Sequence, residues 1–139
     1  MDGARFWNAC AATGISEADY ARPFDTVSVC FSKGLGAPVG SALVGSAAQM
    51  QVARRFRKMF GGGMRQAGMI AAGALYALEH QRDRLVEDHE NAQQLAQGLQ
   101  GIKGVVIDPA AVETYIVNFE VTDDSAEAVV KELAQDGVA

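Results

Sequence analysis

Several signals are missing from this chain, and each absence closes a class of function. Basic charge is in deficit: 12 Lys and Arg stand against 17 Asp and Glu, a net charge of -5. A nucleic-acid role therefore has no electrostatic support. No apolar run approaches the roughly 20 residues a membrane span needs. No basic stretch followed by an apolar one opens the chain, so no secretory signal is read. No nucleic acid, no membrane and a cytoplasmic location are the expectations. Cysteine is scarce, with Cys10 and Cys30 in different expected elements. They read as two free thiols of a cytosolic protein rather than a disulfide. The two histidines, His80 and His89, lie on or beside a polar stretch with no cysteine nearby. They read as solvated side chains, not metal ligands. No Gly-Lys-Ser/Thr closes a glycine loop, so a Walker A motif is absent. Internal repeats and low-complexity segments are absent too.

What is present is ordinary in bulk and unusual in detail. Hydrophobic residues make up 49% and charged residues 21% of 139 positions, as in soluble globular proteins. That length allows one compact domain or parts of two. Met1 and Asp2 read as the tail of an element. Arg5 to Thr13 reads as a short helix stopped by Gly14. Ser16 with Asp19 three residues on resembles a weak capping box, opening a helix to Ala21 that Pro23 ends. Thr26 to Phe31 is apolar and β-branched with little alternation, which predicts a buried central strand. A loop with three glycines and Pro38 follows, then a strand over Ala42 to Val44. The connection is too short for a helical crossover, so this strand should run antiparallel to the last.

Ala47 to Phe60 reads as an amphipathic helix, with Met50, Ala53, Phe56 and Phe60 on one face and Arg54, Arg55, Arg57 and Lys58 on the other. Gly61-Gly62-Gly63 breaks it. Gln66 to His80 is almost all Ala, Met, Leu and Gly, which predicts a helix buried on several faces. At Gln81 the composition turns polar, and a narrow stripe of Leu85, Ala92, Leu95 and Leu99 remains. The expected domain boundary falls here, between residues 1–80 and 81–139. Val105–Ile107 and Tyr115–Val121 read as strands, and Ser125 to Gln135 as a helix with Ser125 as N-cap.

Three charged residues gather around the first strands. Lys33 follows the expected buried strand and sits in a glycine-rich loop. Partial desolvation there would lower its pKa and free its lone pair for a Schiff base. The plainer alternative is a lysine at a strand end, pointing to solvent. Asp2 is a carboxylate separated from Lys33 by helix, turn and strand. That spacing can set both at the carboxyl ends of neighbouring parallel strands, where open α/β sheets bind ligands. Its plainer reading is a cap for the helix near Arg5. Arg5 would sit in the first turn of that helix, able to meet a phenolate or carboxylate bidentately, or it is a surface arginine. The triple glycine between Lys58 and Arg65 either lets backbone approach a phosphate or another chain, or is a flexible connector. Phe6 and Trp7 read as packing residues. Gly34, Gly36 and Gly40 imitate a dinucleotide fingerprint, but Pro38 and the strand after it argue against a helix there.

Taken together, these segments resemble the low-specificity L-threonine aldolases, within the fold-type-I pyridoxal-phosphate enzymes and the β-eliminating lyase group. The matching pieces are Asp2-Gly3-Ala4-Arg5 with Trp7-Asn8, Pro23-Phe24-Asp25, Ser28-Val29, Ser32 through Ser41, and Arg57-Lys58-Met59 with Gly63 through Gly68. They are dense over residues 1–80 and thinner after. The resemblance implies pyridoxal 5'-phosphate as cofactor. Lys33 would carry it, Asp2 would pair with its pyridine nitrogen, and Arg5 would lie beside its phenolic oxygen and the substrate. Lys58 and Arg65 would approach the phosphate from a neighbouring subunit of a dimer or tetramer with shared sites. The implied reaction is cleavage of L-threonine or L-allo-threonine to glycine and an aldehyde. The implied fold is α/β: the back part of a fold-type-I large domain over 1–80, then the start of a small α+β domain over 81–139.

The family's chains are longer at both ends. The resemblance implies that a phosphate loop and a ring-stacking histidine precede Asp2, and that a carboxylate-binding arginine follows Ala139. The expectation is thus a fragment, catalytically inert alone. The rival readings are another β-eliminating amino-acid lyase and a non-catalytic remnant that oligomerises through its Ala/Gly-rich helix.

Overall fold

The computed structural model describes residues 1–138. The chain divides into two compact units, Met1–Val86 and Glu87–Ala139.

The first unit is built on a three-stranded sheet in the order β1, β2, β3. β1 (Asp2–Gly3) runs parallel to β2 (Thr26–Cys30), with Asp2 opposite Ser28 and Gly3 opposite Val29. β3 (Ser41–Gly45) runs antiparallel to β2, as its short connection requires. β2 is central, as expected, but its burial alternates: Val27 and Val29 are buried, while Thr26, Ser28 and Cys30 are half-buried. One face therefore carries the core of this unit.

Helix α1 (Phe6–Thr13) covers that face. Phe6 and Cys10, one turn apart, pack on Val27 and Val29. Gly14, in left-handed conformation at φ 68°, closes the helix with its N–H on the Cys10 carbonyl. Between α1 and β1, Gly3 allows close approach: a Cβ there would lie 2.5 Å from the Ser28 carbonyl oxygen. α2 (Glu17–Ala21) opens on Ser16, whose hydroxyl accepts from Asp19 N–H and donates to the Asp19 carboxylate. Burial, and secondarily the charge of Glu17, raises the Cys10 thiol above its ordinary pKa. The protonated thiol is favoured by folding, so this contribution to stability is lost as pH rises past the ordinary thiol range. In a timed alkylation at neutral pH, half-buried Cys30 is expected to react well before Cys10. Equal rates would contradict the assignment of Cys10 to the core.

α3 (Ala47–Met59) opens on a full capping box, Ser46 with Gln49. It ends in a Schellman motif: Gly61 N–H bonds to the Lys58 carbonyl and Gly62 N–H to that of Arg57. Gly61 has φ 83°, and a Cβ on Gly62 would fall 2.7 Å from Arg57 Cγ. Two of the three glycines therefore terminate the helix, as the break expected at Gly61-Gly62-Gly63 requires. α4 (Gly68–His80) is not buried on several faces. Only Ala74 and Ala77 are buried along it, and Met69, Leu75 and Tyr76 are exposed. Its small residues reflect close packing on one side: a Cβ on Gly73 would meet Pro38 at 3.2 Å.

The second unit contains most of α5 (Leu85–Gln100), an antiparallel pair of two-residue strands and α6 (Ala126–Gln135). The strands are β4 (Val105–Val106) and β5 (Glu120–Val121). Both are shorter than expected. Tyr115 and Val117 instead pack with Ile107 against Ala92, Ala96 and Val112. On α5 the buried stripe runs through Ala92 and Ala96, while Leu95 is exposed. Gln93 Nε2 donates to the carbonyls of Pro109 and Val112, tying the following loop to the helix. Ser125 caps α6 through the Ala128 N–H, as expected. Among the described residues no helix is long and apolar enough to cross a membrane.

Candidate functional site

The candidate site lies at the carboxyl edge of the parallel pair β1–β2. Chain direction fixes this placement. β1 ends at Gly3, and Arg5 follows as the N-cap of α1. β2 ends at Cys30, and Lys33 follows three residues later. Asp2, Arg5 and Lys33 therefore all belong to adjacent parallel strands or to the turns that leave them, the position at which open α/β sheets bind ligands.

Asp2 is exposed, and its Oδ1 accepts the Ala4 N–H at 3.1 Å. The bond closes the turn that precedes α1 and is not a helix cap, since the N-cap is Arg5 and no side chain caps that helix. Arg5 is exposed and stands at the N-cap itself, contributing no side-chain cap.

Lys33 lies in a loop that is fixed rather than slack. Phe31 N–H donates to the Gly40 carbonyl and Ala37 N–H to that of Phe31, which staples the loop at its base. Gly36 N–H donates to the Lys33 carbonyl at 2.8 Å, closing a tight turn. Leu35, fully buried, and Ala37 anchor the underside against Ala77 of α4 and Leu85. Trp7 Nε1 donates to the Cys30 carbonyl at 2.9 Å, and its ring stacks with Phe31. Lys33 itself is exposed. The desolvation expected of it is not present in this chain, because the buried contacts belong to Leu35 and Ala37 instead.

The family model for beta-eliminating lyases matches residues 1–122 of this fold. The chain belongs to the beta-eliminating lyase family. It is 44% identical to low-specificity L-threonine aldolase 1 of Arabidopsis thaliana, over 99% of this chain and 39% of that one. It is 48% identical to the low specificity L-threonine aldolase of Escherichia coli K12, over 72% of this chain and 30% of that one. Among solved structures it superimposes with TM-score 0.84 and 30% identity on a protein of Exiguobacterium sp. 255-15 described as an aromatic amino acid beta-eliminating lyase/threonine aldolase. The match covers 96% of this chain and 38% of that protein. A Listeria monocytogenes protein described as an L-allo-threonine aldolase gives TM-score 0.83 at 27% identity, over 96% of this chain and 37% of its own. The chain thus spans about two fifths of the Arabidopsis relative's length. The threonine-aldolase resemblance and the α/β class read from the sequence are borne out.

Two further residues of this beta-eliminating lyase chain lie elsewhere. Lys58 sits in the last turn of α3, and Arg65 in the connection to α4; both are exposed. Among the described residues, no hydrogen bond or ion pair joins either to Asp2 or Lys33. One residue of this edge escaped the motif reading as a participant. Asn8 is a buried amide on α1, and its signal was a lone polar side chain in the apolar run Phe6-Trp7-Asn8-Ala9-Cys10.

Proposed function

We propose that this chain carries the cofactor-lysine part of a pyridoxal-phosphate-dependent aldolase that cleaves L-threonine or L-allo-threonine to glycine and an aldehyde. The observation that carries the reading is the set Asp2, Arg5 and Lys33 at one edge of a parallel strand pair, in a fold shared with threonine aldolases. An amine, a carboxylate and a guanidinium are the donor set this cofactor needs. When bound, pyridoxal 5'-phosphate supplies an aldehyde that an amine can hold and a ring that accepts electrons. Lys33 Nζ is the amine that would hold that aldehyde. The Asp2 carboxylate would pair with the ring nitrogen and favour its protonated form. Arg5 presents a planar pair of donors to an anionic oxygen of ring or substrate.

The division into a large-domain part over 1–80 and a small-domain part over 81–139 is supported by the compact unit that closes at Val86. A homo-oligomer with shared sites is supported by the apolar surface of α3, α4 and their connection. Phe60 is 84%, Met64 73% and Met69 89% exposed, more than isolated surface residues explain. In such an assembly Lys58 and Arg65 reach the phosphate of a neighbouring subunit, and the protein is cytoplasmic.

The protein as the cell makes it, supplied with cofactor and either threonine isomer, is expected to release glycine and acetaldehyde in equal amounts. Ammonia and a 2-oxo acid instead would overturn the reading in favour of elimination. Asp2→Asn separates Asp2's two roles. Asparagine keeps an oxygen for the Ala4 N–H and makes the same local turn as aspartate, but it cannot hold a ring proton by charge. The expected result is unchanged stability with kcat lowered at least about a hundredfold. Full activity would leave Asp2 as a turn residue alone.

A further inference from the structure

Asn8 is the buried polar side chain among the described residues, only 2% exposed. Burying a carboxamide is costly unless its polar atoms are paired, and here they are satisfied. It packs directly on the backbone of Gly34, the residue after Lys33. A Cβ on Gly34 would fall 2.3 Å from Asn8 Oδ1 and 3.0 Å from its Cγ and Nδ2. Gly34 lies outside the left-handed region that only glycine enters readily. Its backbone would therefore accept any side chain, and the space taken by Asn8 is what forbids one. Gly36, two residues on, is the opposite case: it has φ 69° and open space around its Cα.

We propose that Asn8 is a positioning residue that sets the path of the chain through Gly34 and so the direction in which Lys33 leaves β2. This rests on the reading of Lys33 as the cofactor lysine. Both bodies that meet at this contact are held independently. α1 is fixed to β2 by Phe6 and Cys10 on Val27 and Val29, and by Trp7 on the Cys30 carbonyl. The loop is fixed at its base and underside by the Phe31–Gly40 bond, Leu35 and Ala37. Between those anchors, Ser32 and Lys33 are exposed and Gly34 has no side chain, so none of the three is located by burying its own side chain. Asn8 fills that gap from α1, the helix that Arg5 N-caps and that follows Asp2. One short helix thus ties together the elements that bear all three candidate residues.

The test compares Asn8→Ala, Gly34→Ala and the double variant in the intact protein, with two measurements. The first is hydrogen exchange without cofactor. Asn8→Ala is expected to speed exchange in residues 31–40, including the Gly36 and Ala37 amides, by about tenfold. The β2–β3 ladder should be unaffected. Gly34→Ala should also loosen the loop, and removing the Asn8 carboxamide in the double variant should make room for the new methyl and restore protection. Should Asn8→Ala unfold, Gly34→Ala gives the same comparison. Wild-type exchange across the loop in both single variants overturns the proposal. So does faster exchange spread evenly over residues 1–86, which marks an ordinary packing residue. The second measurement adds pyridoxal 5'-phosphate and borohydride, and counts the adduct fixed on Lys33 across pH. Asn8→Ala should lower the yield about tenfold or more and move its pH midpoint, while Cys10→Ala, a cavity in the same helix, moves neither. A wild-type protein that fixes no adduct counts against Lys33 as the cofactor lysine; the exchange result then still decides the Asn8–Gly34 contact by itself.

Discussion

Lys33→Ala is expected to abolish the borohydride-fixed cofactor adduct and to lower aldehyde release from threonine at least about 1,000-fold. It should leave the fold almost untouched. Lys33 is exposed, and the turn that contains it is closed by its carbonyl rather than its side chain. The free energy of unfolding should therefore change by no more than about 0.5 kcal/mol. That contrast is the informative part. A loss of activity with an equal loss of stability would describe a structural lysine. Lys33→Arg sharpens the same point. Arginine keeps the positive charge and most of the length, but its guanidinium does not deprotonate and cannot attack an aldehyde. Arginine at this position should be as inactive as alanine. An arginine variant with substantial turnover would mean that charge alone is required, and the covalent role would be withdrawn.

The largest stability effect should come from the neighbour two residues on. Leu35 is 0% exposed and packs with Ala37, Ala77 and Leu85. Leu35→Ala removes its contacts and leaves a cavity that the small Ala37 and Ala77 side chains cannot fill. Core truncations of this kind cost about 2–5 kcal/mol. Equilibrium urea unfolding followed by far-UV circular dichroism would measure it. A change under about 1 kcal/mol would mean that the loop is not anchored from below. The consequence reaches the chemistry, because Leu35 holds the loop from beneath while Lys33 stands on its outer side. Cofactor capture should weaken in Leu35→Ala even at temperatures where the protein remains folded. Leu35→Met, close in volume, should recover most of both properties.

Local signals in the sequence were strong where local physics decides. Gly14, Ser125, and the Ser16–Asp19 pair are capping devices, and each helix end they mark is found there. The antiparallel return of β3 followed from the length of its connection. The position of Lys33 after β2 was legible for the same reason. What was not legible depends on partners distant in sequence. α4 has the composition of a buried helix, yet burial requires something to lie on each face, and only the side toward Pro38 and Leu35 is covered. On α5 the apolar Leu95 is exposed while Ala96 is buried, because close approach by Val112 favours the smaller side chain. Strands β4 and β5 shrank to two residues each because ladder pairing needs a partner in register, which no single segment reveals. At the site, the charges announced themselves through motif order. The contact between Asn8 and Gly34 did not, since it joins residues 26 positions apart through a missing Cβ.

Trp7 is the chain's single tryptophan, and its bond to the Cys30 carbonyl sits where β2 gives way to the Lys33 loop. The protein therefore carries its own optical probe at the place of interest. A paired, partly shielded indole emits further to the blue than a hydrated one, so a loop that pulls away from α1 should shift the emission to the red. Pyridoxal phosphate absorbs where indole emits, and cofactor held on Lys33 should quench that light by energy transfer. A fluorimeter and unlabelled protein are then enough to follow cofactor capture and loop release in real time, from one residue and without a reporter being added.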